Sequence, residues 1–448
     1  MNSNKLFIAN GITARKEFFG ALVFNQQNSR ILEINKVGAL VLKQIAEGND
    51  PYQKLKDHFP NLDSEIIKRD VDSFIKYLRD NKVVSDNSFS KGRFVEKTWE
   101  TDGKCLAAPR SIFWECIDVC NIATCIHCYS HSDDYLCTLN DGYTLIQQMA
   151  ELGVFVIDIG GGEPLLRKDL PDLINFANSN GIRCNIATNL SLPKEQVIRF
   201  VESVNNWTYN SLQISLDGHC AELHDKIRGS QGWFQKTITN IEILRTRNIR
   251  YRINCTIMKL NIAYIEEIVE KAIALQASIV RFIRIIPSGR GKDSNLQISA
   301  EEYKKHCLKL VELRKKYKSF IEVGIDDSFL FLELTKEEYE EIKPRIPWIQ
   351  PPYVGCGAAR TLMAITANNY VLPCSYLNHP KFISGNINQD TIETIWKKST
   401  IFQELREQKS LGGVCDICSF KDKCLGGCRA AIFGTYNTIE EKDPLCWK

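Results

Sequence analysis

Between residues 108 and 286 short apolar runs alternate with amphipathic stretches six times, and this rhythm limits the possible folds more than any other feature of the chain. The runs read "SIFWECI", "GVFVIDI", "IRCNIAT", "SLQISL", "RYRINCTI" and "SIVRFIRII", with helical segments such as "LPDLINFANSN" and "FQKTITNIEILRTRN" between them. Strands separated by helices pair in parallel, and right-handed crossovers curl successive units into an open barrel. The expectation is an α/β fold, a partial (β/α)6 TIM-like barrel, with functional loops gathered at the C-terminal ends of its strands.

Both flanks differ from that core. Ahead of it, "GALVFNQQNSRILEINKVGALVLKQI" reads as a hairpin with a polar turn that runs into helical spacing. Ile67, Val71, Phe74, Ile75 and Leu78 then share one face of a further helix. These elements make a small winged-helix-like α+β domain over residues 1–95, and the polar "SDNSFSKGRF" reads as a linker toward a barrel domain over 108–300. Residues 301–345 are charged and helical in spacing, a helical connector. Residues 346–448 are dense in Cys, Gly and Pro, and read as loops stapled by metal rather than by a large apolar core.

Composition narrows the partners. The 57 basic and 54 acidic residues leave a net charge of +3, so bulk electrostatics give no reason to expect a nucleic acid. No window of about 18 apolar residues occurs, and "MNSNKLFIANG" has no basic segment followed by an apolar run, so no membrane and a cytoplasmic location are expected. In that reducing compartment 17 cysteines point to metal or cluster ligation rather than disulfides.

The first cysteine cluster, "VCNIATCIHCYSHSDD", lies just past the first barrel strand and is spaced Cys120-x4-Cys125-x2-Cys128. A zinc site or a disulfide wants a fourth partner nearby, whereas an iron–sulfur cube held by three cysteines keeps one iron free. The stretch resembles the cluster loop of the radical S-adenosylmethionine (SAM) enzymes, usually C-x3-C-x2-C. His127 and Tyr129 fit that pattern, and the extra residue in the first gap departs from it. "GGEP" at 161–164, "TNL" at 188–190, "ISLDG", "HDKIRG" and the sixth-strand exit "IIPSGRG" are similar to further segments of the family. The resemblance implies SAM and a [4Fe–4S] cluster on Cys120, Cys125 and Cys128. It implies that Gly161 and Gly162 bind the amino end of the methionine moiety through backbone groups, with Glu163 as an acceptor. By the same match Asn189 lines the pocket, Ser215 binds the methionine carboxylate, and Asp217 and Arg228 shape the site. Leu190 departs from the family's TNG. No residue is singled out as catalytic.

The tail cysteines read Cys356-x17-Cys374, then Cys415-x2-Cys418-x5-Cys424-x3-Cys428, then x17 to Cys446. This spacing resembles the SPASM extension, with "ISGN" and "IETIWKKSTIFQELR" as its intervening elements, and implies two auxiliary [4Fe–4S] clusters. Cys356, Cys374 and Cys428 would hold the first, and Cys415, Cys418, Cys424 and Cys446 the second. Where the family has a glycine five places before the second cysteine this chain has Asn369, the other residue that tolerates a left-handed turn. The remaining cysteines are scattered; Cys184 and Cys255 fall inside strands as small apolar fillers, and Cys105 and Cys137 flank the cluster loop.

Residues 5–95 resemble the PqqD-like recognition element of peptide maturases, on the pattern "LVFNxxxxRIxxIN" followed by helices. That resemblance implies a precursor-peptide partner whose leader adds as a strand to the hairpin edge. The whole then reads as a radical SAM peptide maturase that binds a leader and modifies the core peptide, forming a thioether, ether or carbon–carbon cross-link, with a flavodoxin or ferredoxin as electron donor. Sulfatase-maturase-like or haem-precursor chemistry is the alternative within the enzyme class, and a non-catalytic iron–sulfur binding or sensing protein the alternative outside it.

Overall fold

The structure, a computed structural model, describes residues 5–87, 89–96, 99, 101–129, 139–325, 329–335, 337–338, 355–407 and 410–448. The chain opens with β1 (Phe7–Ile8), β2 (Ile12–Glu17), β3 (Gly20–Asn25) and β4 (Ile31–Asn35), and continues through α1 (Lys36–Glu47), α2 (Pro51–His58) and α3 (Ser64–Asp80) to β5 (Val84–Ser85) and β6 (Arg93–Val95). The expected hairpin is β3–β4, antiparallel from Gly20↔Asn35 to Phe24↔Ile31. Asn35 caps α1 by accepting from the Gly38 amide, and Gly48 ends that helix at φ 72°. Ile67, Val71 and Leu78 are buried in the module's core, with Phe74 and Ile75 packed half-buried against it.

One reading of the first flank is corrected. The segment taken as a linker ends in β6, which pairs in parallel with β2 and seats Phe94 against the core, giving the sheet order β4-β3-β2-β6. A three-residue strand carries too little alternation to register, and its pairing partner lies about 80 residues earlier in the chain. The module is fixed to the barrel's floor. Arg15 and Glu17 form a fully buried ion pair at 2.7 Å, Arg15 Nη1 donates to Pro109 O and Gly153 O, and Glu17 accepts from the Ala107 amide. Phe24 stacks on Phe155 with centroids 5.1 Å apart.

All six expected barrel strands are present: β7 (Ser111–Ile117), β8 (Val156–Gly161), β9 (Arg183–Thr188), β10 (Asn210–Ser215), β11 (Tyr251–Ile257) and β12 (Ile279–Arg284). They lie side by side in chain order, every neighbouring pair parallel. Helices α4 (Leu139–Glu151), α5 (Leu170–Ser179), α6 (Lys194–Ser203), α7 (Ala221–Arg228), α8 (Trp233–Thr246) and α9 (Ile265–Ala274) form the crossovers. Two readings are corrected here. The expected helical connector holds α10 (Ala300–Tyr317) but also β13 (Glu322–Ile325), a further parallel strand beside β12. The tail is more than stapled loops: β14 (Leu362–Ile365) pairs in parallel with β7, and β15 (Tyr370–Leu372) and β16 (Gly385–Asn386) extend it antiparallel. Among the described residues the result is one ten-stranded sheet, β13 through β7 to β16, open at both ends. Strands of two to four residues take their stability from the sheet they join, so their own sequence announces them poorly.

The two faces of this sheet have opposite chemistry. Ile112, Trp114, Ile157, Ile186, Leu212, Ile253 and Val280 are sealed under the helices, and Cys184 and Cys255 fill the same layer. The alternate residues face the lumen. There the cross-strand neighbours are Phe113, Asp158 and Asn185, then Gln213 and Arg252, then Ser215, Asn254 and Arg281. Among the described residues no helix is long and apolar enough to cross a membrane.

Candidate active site

The cluster loop leaves β7 at the C-terminal end of the barrel and is clamped from three sides. On the first side, the Gly162 amide donates to Ile117 O at 2.7 Å and the Glu163 amide to Val119 O at 2.9 Å. Gly161 is required here: it sits at φ 124°, and a Cβ on it would lie 2.0 Å from Ile117 O. On the second side, Thr124 Oγ1 donates to Arg228 O at 2.7 Å and the Ile126 amide to Ile227 O at 3.1 Å. On the third, the "SGRG" segment sends Arg290 Nε to Cys125 O at 2.7 Å and the Arg290 amide to Cys128 O at 2.9 Å. Three separated motifs thus converge on one loop.

The residues expected in the cofactor pocket also brace it. Glu163 is buried and accepts from Thr188 Oγ1 (2.6 Å), the Leu165 amide (3.1 Å) and the Asn189 amide (2.8 Å). Burial pushes its carboxyl up to about 7 against the pull of those donors. Its acceptor capacity therefore ties β8's exit to β9's. Asn189 donates to Asn121 Oδ1 of the cluster loop at 2.8 Å. Leu190 holds the family's glycine position at φ 52°, a strained conformation for a branched residue, with its side chain fully buried. Ser215 ends β10 on the lumen face, half-buried.

Asp217 and Arg228 form a buried ion pair at 2.6 Å, and the Thr256 amide donates to Asp217 Oδ1. Burial works to raise Asp217, but the Arg228 guanidinium holds it below its ordinary value. Arg228 reaches Cys125 Sγ at 3.7 Å, setting a fixed positive charge against that sulfur. Burial pushes His127 down to about 4, so it faces Asp217 at 3.7 Å as a neutral ring.

Cys120 is pushed up to about 12, chiefly by burial, with Glu163, Cys125 and Cys128 adding to it. The tail thiols respond in two groups. Cys374, pushed up to about 12 by burial, feels Cys356 and Cys428; Cys415 feels Cys446 and Cys418, and Cys424 feels Cys446. The second group lines one apolar cavity with Phe329, Phe331 and Phe420. Arg284 of β12 bonds Asp443 through both terminal nitrogens, and Asp443 accepts from the Cys428 amide at 2.7 Å. Tyr129, next to Cys128, meets Tyr376, two residues past Cys374, edge to face at 4.8 Å. Asn369 takes the left-handed turn at φ 66°. Cys105 is buried beside Arg406 and Arg360, whereas Cys137 falls outside the described residues.

Among the described residues no three Cys, His, Asp or Glu side chains converge tightly enough for a single metal ion. Ligands of one zinc ion crowd a single centre, while in an iron–sulfur cube each thiolate meets a different iron and the ligands stand farther apart. Thiols grouped three, three and four without a single-ion focus fit cubes.

Sequence reading missed the lumen itself. Glu115, Asp158, Arg252, Asn254 and Arg281 put a polar, partly accessible surface beneath the cluster loop. The signal was available: a charged or amide residue at alternate positions of strands otherwise built from Ile, Val and Phe. Burial holds Glu115 up at about 8, with Asp118 adding, and lowers Arg281 to about 9.

The radical SAM superfamily profile matches residues 114–272, and the profile of the SPASM iron–sulfur cluster-binding domain matches residues 356–419. The mycofactocin maturase MftC of Mycobacterium tuberculosis is 31% identical over 349 residues, which are 76% of this chain and 83% of that protein. The chain belongs to the radical SAM superfamily. It is a radical SAM enzyme with a SPASM domain, and its cofactors are S-adenosylmethionine and [4Fe–4S] clusters. The AdoMet-dependent heme synthase of Methanosarcina barkeri is 29% identical over 76% of this chain and 96% of its own length. Streptococcus suis SuiB, solved with S-adenosylmethionine and also with its precursor peptide SuiA, shares the fold over 99% of this chain and 100% of that one. Its TM-score is 0.74, at 18% and 17% identity.

Proposed function

We propose that this radical SAM enzyme is a peptide maturase that binds the leader of a ribosomally made precursor and cross-links its core. Residues 1–95 serve as the leader-binding domain, 108–300 as the barrel, 301–345 as a connector and 346–448 as the SPASM domain, in the cytoplasm and with a flavodoxin or ferredoxin as donor. The observation that carries the reading is the N-terminal module. The match to the heme synthase spans nearly all of that relative but only 76% of this chain, whereas the SuiB fold accounts for 99% of it. Within the module, β4 is an edge strand, and Val37, Leu62, Ile66 and Tyr77 are exposed apolar side chains. An open strand edge, in a module that also exposes apolar side chains, suits an extended peptide that adds by main-chain pairing.

In this reading Cys120, Cys125 and Cys128 hold a [4Fe–4S] cluster, Cys356, Cys374 and Cys428 a second, and Cys415, Cys418, Cys424 and Cys446 a third. When bound, cluster and S-adenosylmethionine supply a 5′-deoxyadenosyl radical that removes a hydrogen atom from carbon. The chain does the rest. The clamps from Gly162, Thr124 and Arg290 fix the loop before cofactor arrives, which lowers the cost of binding. Gly162, whose amide is engaged with the loop, and its neighbour Gly161 offer carbonyls to an amino group, and Ser215 and Asn189 line the same end of the barrel. The lumen presents polar groups to the substrate.

Haem-precursor chemistry is the second reading, favoured by the heme synthase relative and by Arg252 and Arg281, which suit carboxylates. One experiment separates them. The reconstituted, dithionite-reduced enzyme is incubated with S-adenosylmethionine and a synthetic peptide matching a short reading frame adjacent to its own. Loss of two hydrogens from the peptide with matching 5′-deoxyadenosine supports the maturase; an inert peptide alongside decarboxylation of an iron porphyrin propionate would overturn it.

A further inference from the structure

Glu115 is a carboxylate to which the site described so far gives no work. It lies in the middle of β7, five residues before Cys120, and is only 3% exposed. Alternation along β7 puts it on the lumen face with Phe113, and its register partner on β8 is Gly160, which contributes no side chain and is covered by the Phe113 ring. No donor among the described residues reaches Glu115 Oε1, although that atom is buried. A structural carboxylate at this depth would be satisfied, because an unsatisfied buried acceptor costs about 1–3 kcal/mol. Other carboxylates near the lumen have a partner: Glu163 accepts from three donors, Asp217 has the Arg228 guanidinium at 2.6 Å although its Oδ2 also lacks a well-aligned hydrogen bond, and the half-buried Asp158 accepts from Asn185 at 2.8 Å.

We propose that Glu115 touches the substrate in the lumen and accepts the proton released when the new bond closes. The inference rests on the cross-linking form of the function proposed above. Joining a carbon to a second atom X of the peptide breaks one C–H and one X–H bond and forms one C–X bond. The first hydrogen leaves as an atom and becomes the new C–H of 5′-deoxyadenosine. The second leaves as a proton to the Glu115 carboxylate, and the remaining electron passes to an oxidised iron–sulfur cluster. Of the other lumen groups, Arg252 and Arg281 are cations, and the Asp158 carboxylate is already engaged by Asn185 at 2.8 Å. Asp118 and Tyr129 are the titratable neighbours that Glu115 senses or influences, and both belong to the cluster loop above it.

The test compares wild type with Glu115→Gln, which keeps the shape, and Glu115→Asp, which keeps the chemistry. Each is reconstituted and given the precursor peptide, S-adenosylmethionine and dithionite. In E115Q the cross-linked product is expected to fall roughly 100-fold or more, the scale of a lost general base, while iron content, cluster absorbance, peptide affinity and 5′-deoxyadenosine formation stay within about twofold of wild type. E115D is expected to recover part of the product. Undiminished cross-linking by E115Q would overturn the inference, as would loss of iron or of peptide affinity, which would make Glu115 a structural or binding residue. Wild type that cleaves S-adenosylmethionine yet leaves the peptide untouched would instead sink the peptide reading on which this rests.

Discussion

The loop of Cys120, Cys125 and Cys128 and the tail of Cys415, Cys418, Cys424 and Cys446 both crowd thiols together, but they are built on different principles. The loop is held by backbone bonds from β8's exit, from the end of α7 and from the segment after β12, so its shape is set by the barrel. The tail has a four-residue helix, Lys421–Cys424, and an apolar cavity, with Ile417 87% and Val414 60% exposed. Little besides its thiols can hold residues 410–427, whereas behind them the helix Arg429–Tyr436 is packed, with Ala430, Ala431 and Phe433 buried, and Asp443 is paired with Arg284. In the proposed assignment, cofactor binding demands a preorganised loop at the cluster that leaves an iron open to it, whereas a cluster closed by four thiolates can serve as the core of the segment around it.

Removing iron should therefore break the two regions unequally, and this is the largest effect expected. In hydrogen-exchange mass spectrometry, chelation should cost amides of 410–427 roughly 100-fold or more in protection, as a metal-dependent unit loses its fold. Residues 118–129 should change little. Equal loss in both regions would show that the clamps do not set the loop. The reciprocal experiment is next in size. Alanine at Cys120, Cys125 or Cys128 should abolish 5′-deoxyadenosine formation while the tail retains its iron by elemental analysis; retained turnover would move the open cluster elsewhere.

A third prediction tests the clamp without touching a thiol. Gly161→Ala places a Cβ 2.0 Å from Ile117 O at a φ of 124°, and backbone cannot yield there without moving the loop. Stability should fall by about 2–4 kcal/mol, read from thermal melts, and cofactor cleavage should fall with it. The corresponding Gly413→Ala in the tail, where a Cβ meets nothing, should cost only the strain of φ 49°, about 1 kcal/mol.

The barrel half of this comparison was legible in the sequence and part of the rest was not. Six strands could be read because each carries six or seven residues with a continuous apolar layer, and the motif residues could be placed because they end those strands. β6, β13 and β14 escaped because three or four residues show no period, and their partners are Thr13, Ile279 and Ser111, far away in sequence. The site was legible in its thiols and opaque in its lumen. Glu115 and Arg252 sit inside runs that read as sheet core, and only the parallel register reveals that their face lines a cavity. Glu163 was readable as an acceptor, but nothing local says that Thr188 and Asn189 use it.

Glu115 also gives the barrel a pH signature that the tail lacks. Its carboxyl is held at about 8 by burial, with Asp118 adding, above an ordinary value of 4.5. A group raised on folding contributes stability that is fully present below its unfolded value and is lost as pH climbs through the folded one. Between pH 5 and about 8 the metal-free wild type should therefore lose on the order of 2 kcal/mol relative to E115Q. Denaturant midpoints of the two proteins that run parallel over that range would remove the buried acid.

The smallest effect probes the one part of the tail that the sheet, rather than metal, should hold. Asn369 turns β14 into β15 at φ 66°, and its side chain donates to Asn388 Oδ1 at 3.0 Å. A glycine in its place would adopt the same turn without strain but would lose that bond and gain freedom when unfolded, so the effects nearly cancel. Asn369→Gly should shift stability by less than about 0.5 kcal/mol, while Asn369→Ala, strained and without the bond, should cost about 1–2 kcal/mol. Because β14 continues β7's sheet, that difference should persist after chelation. Its disappearance with the iron would mean that the hairpin, like residues 410–427, takes its shape from metal.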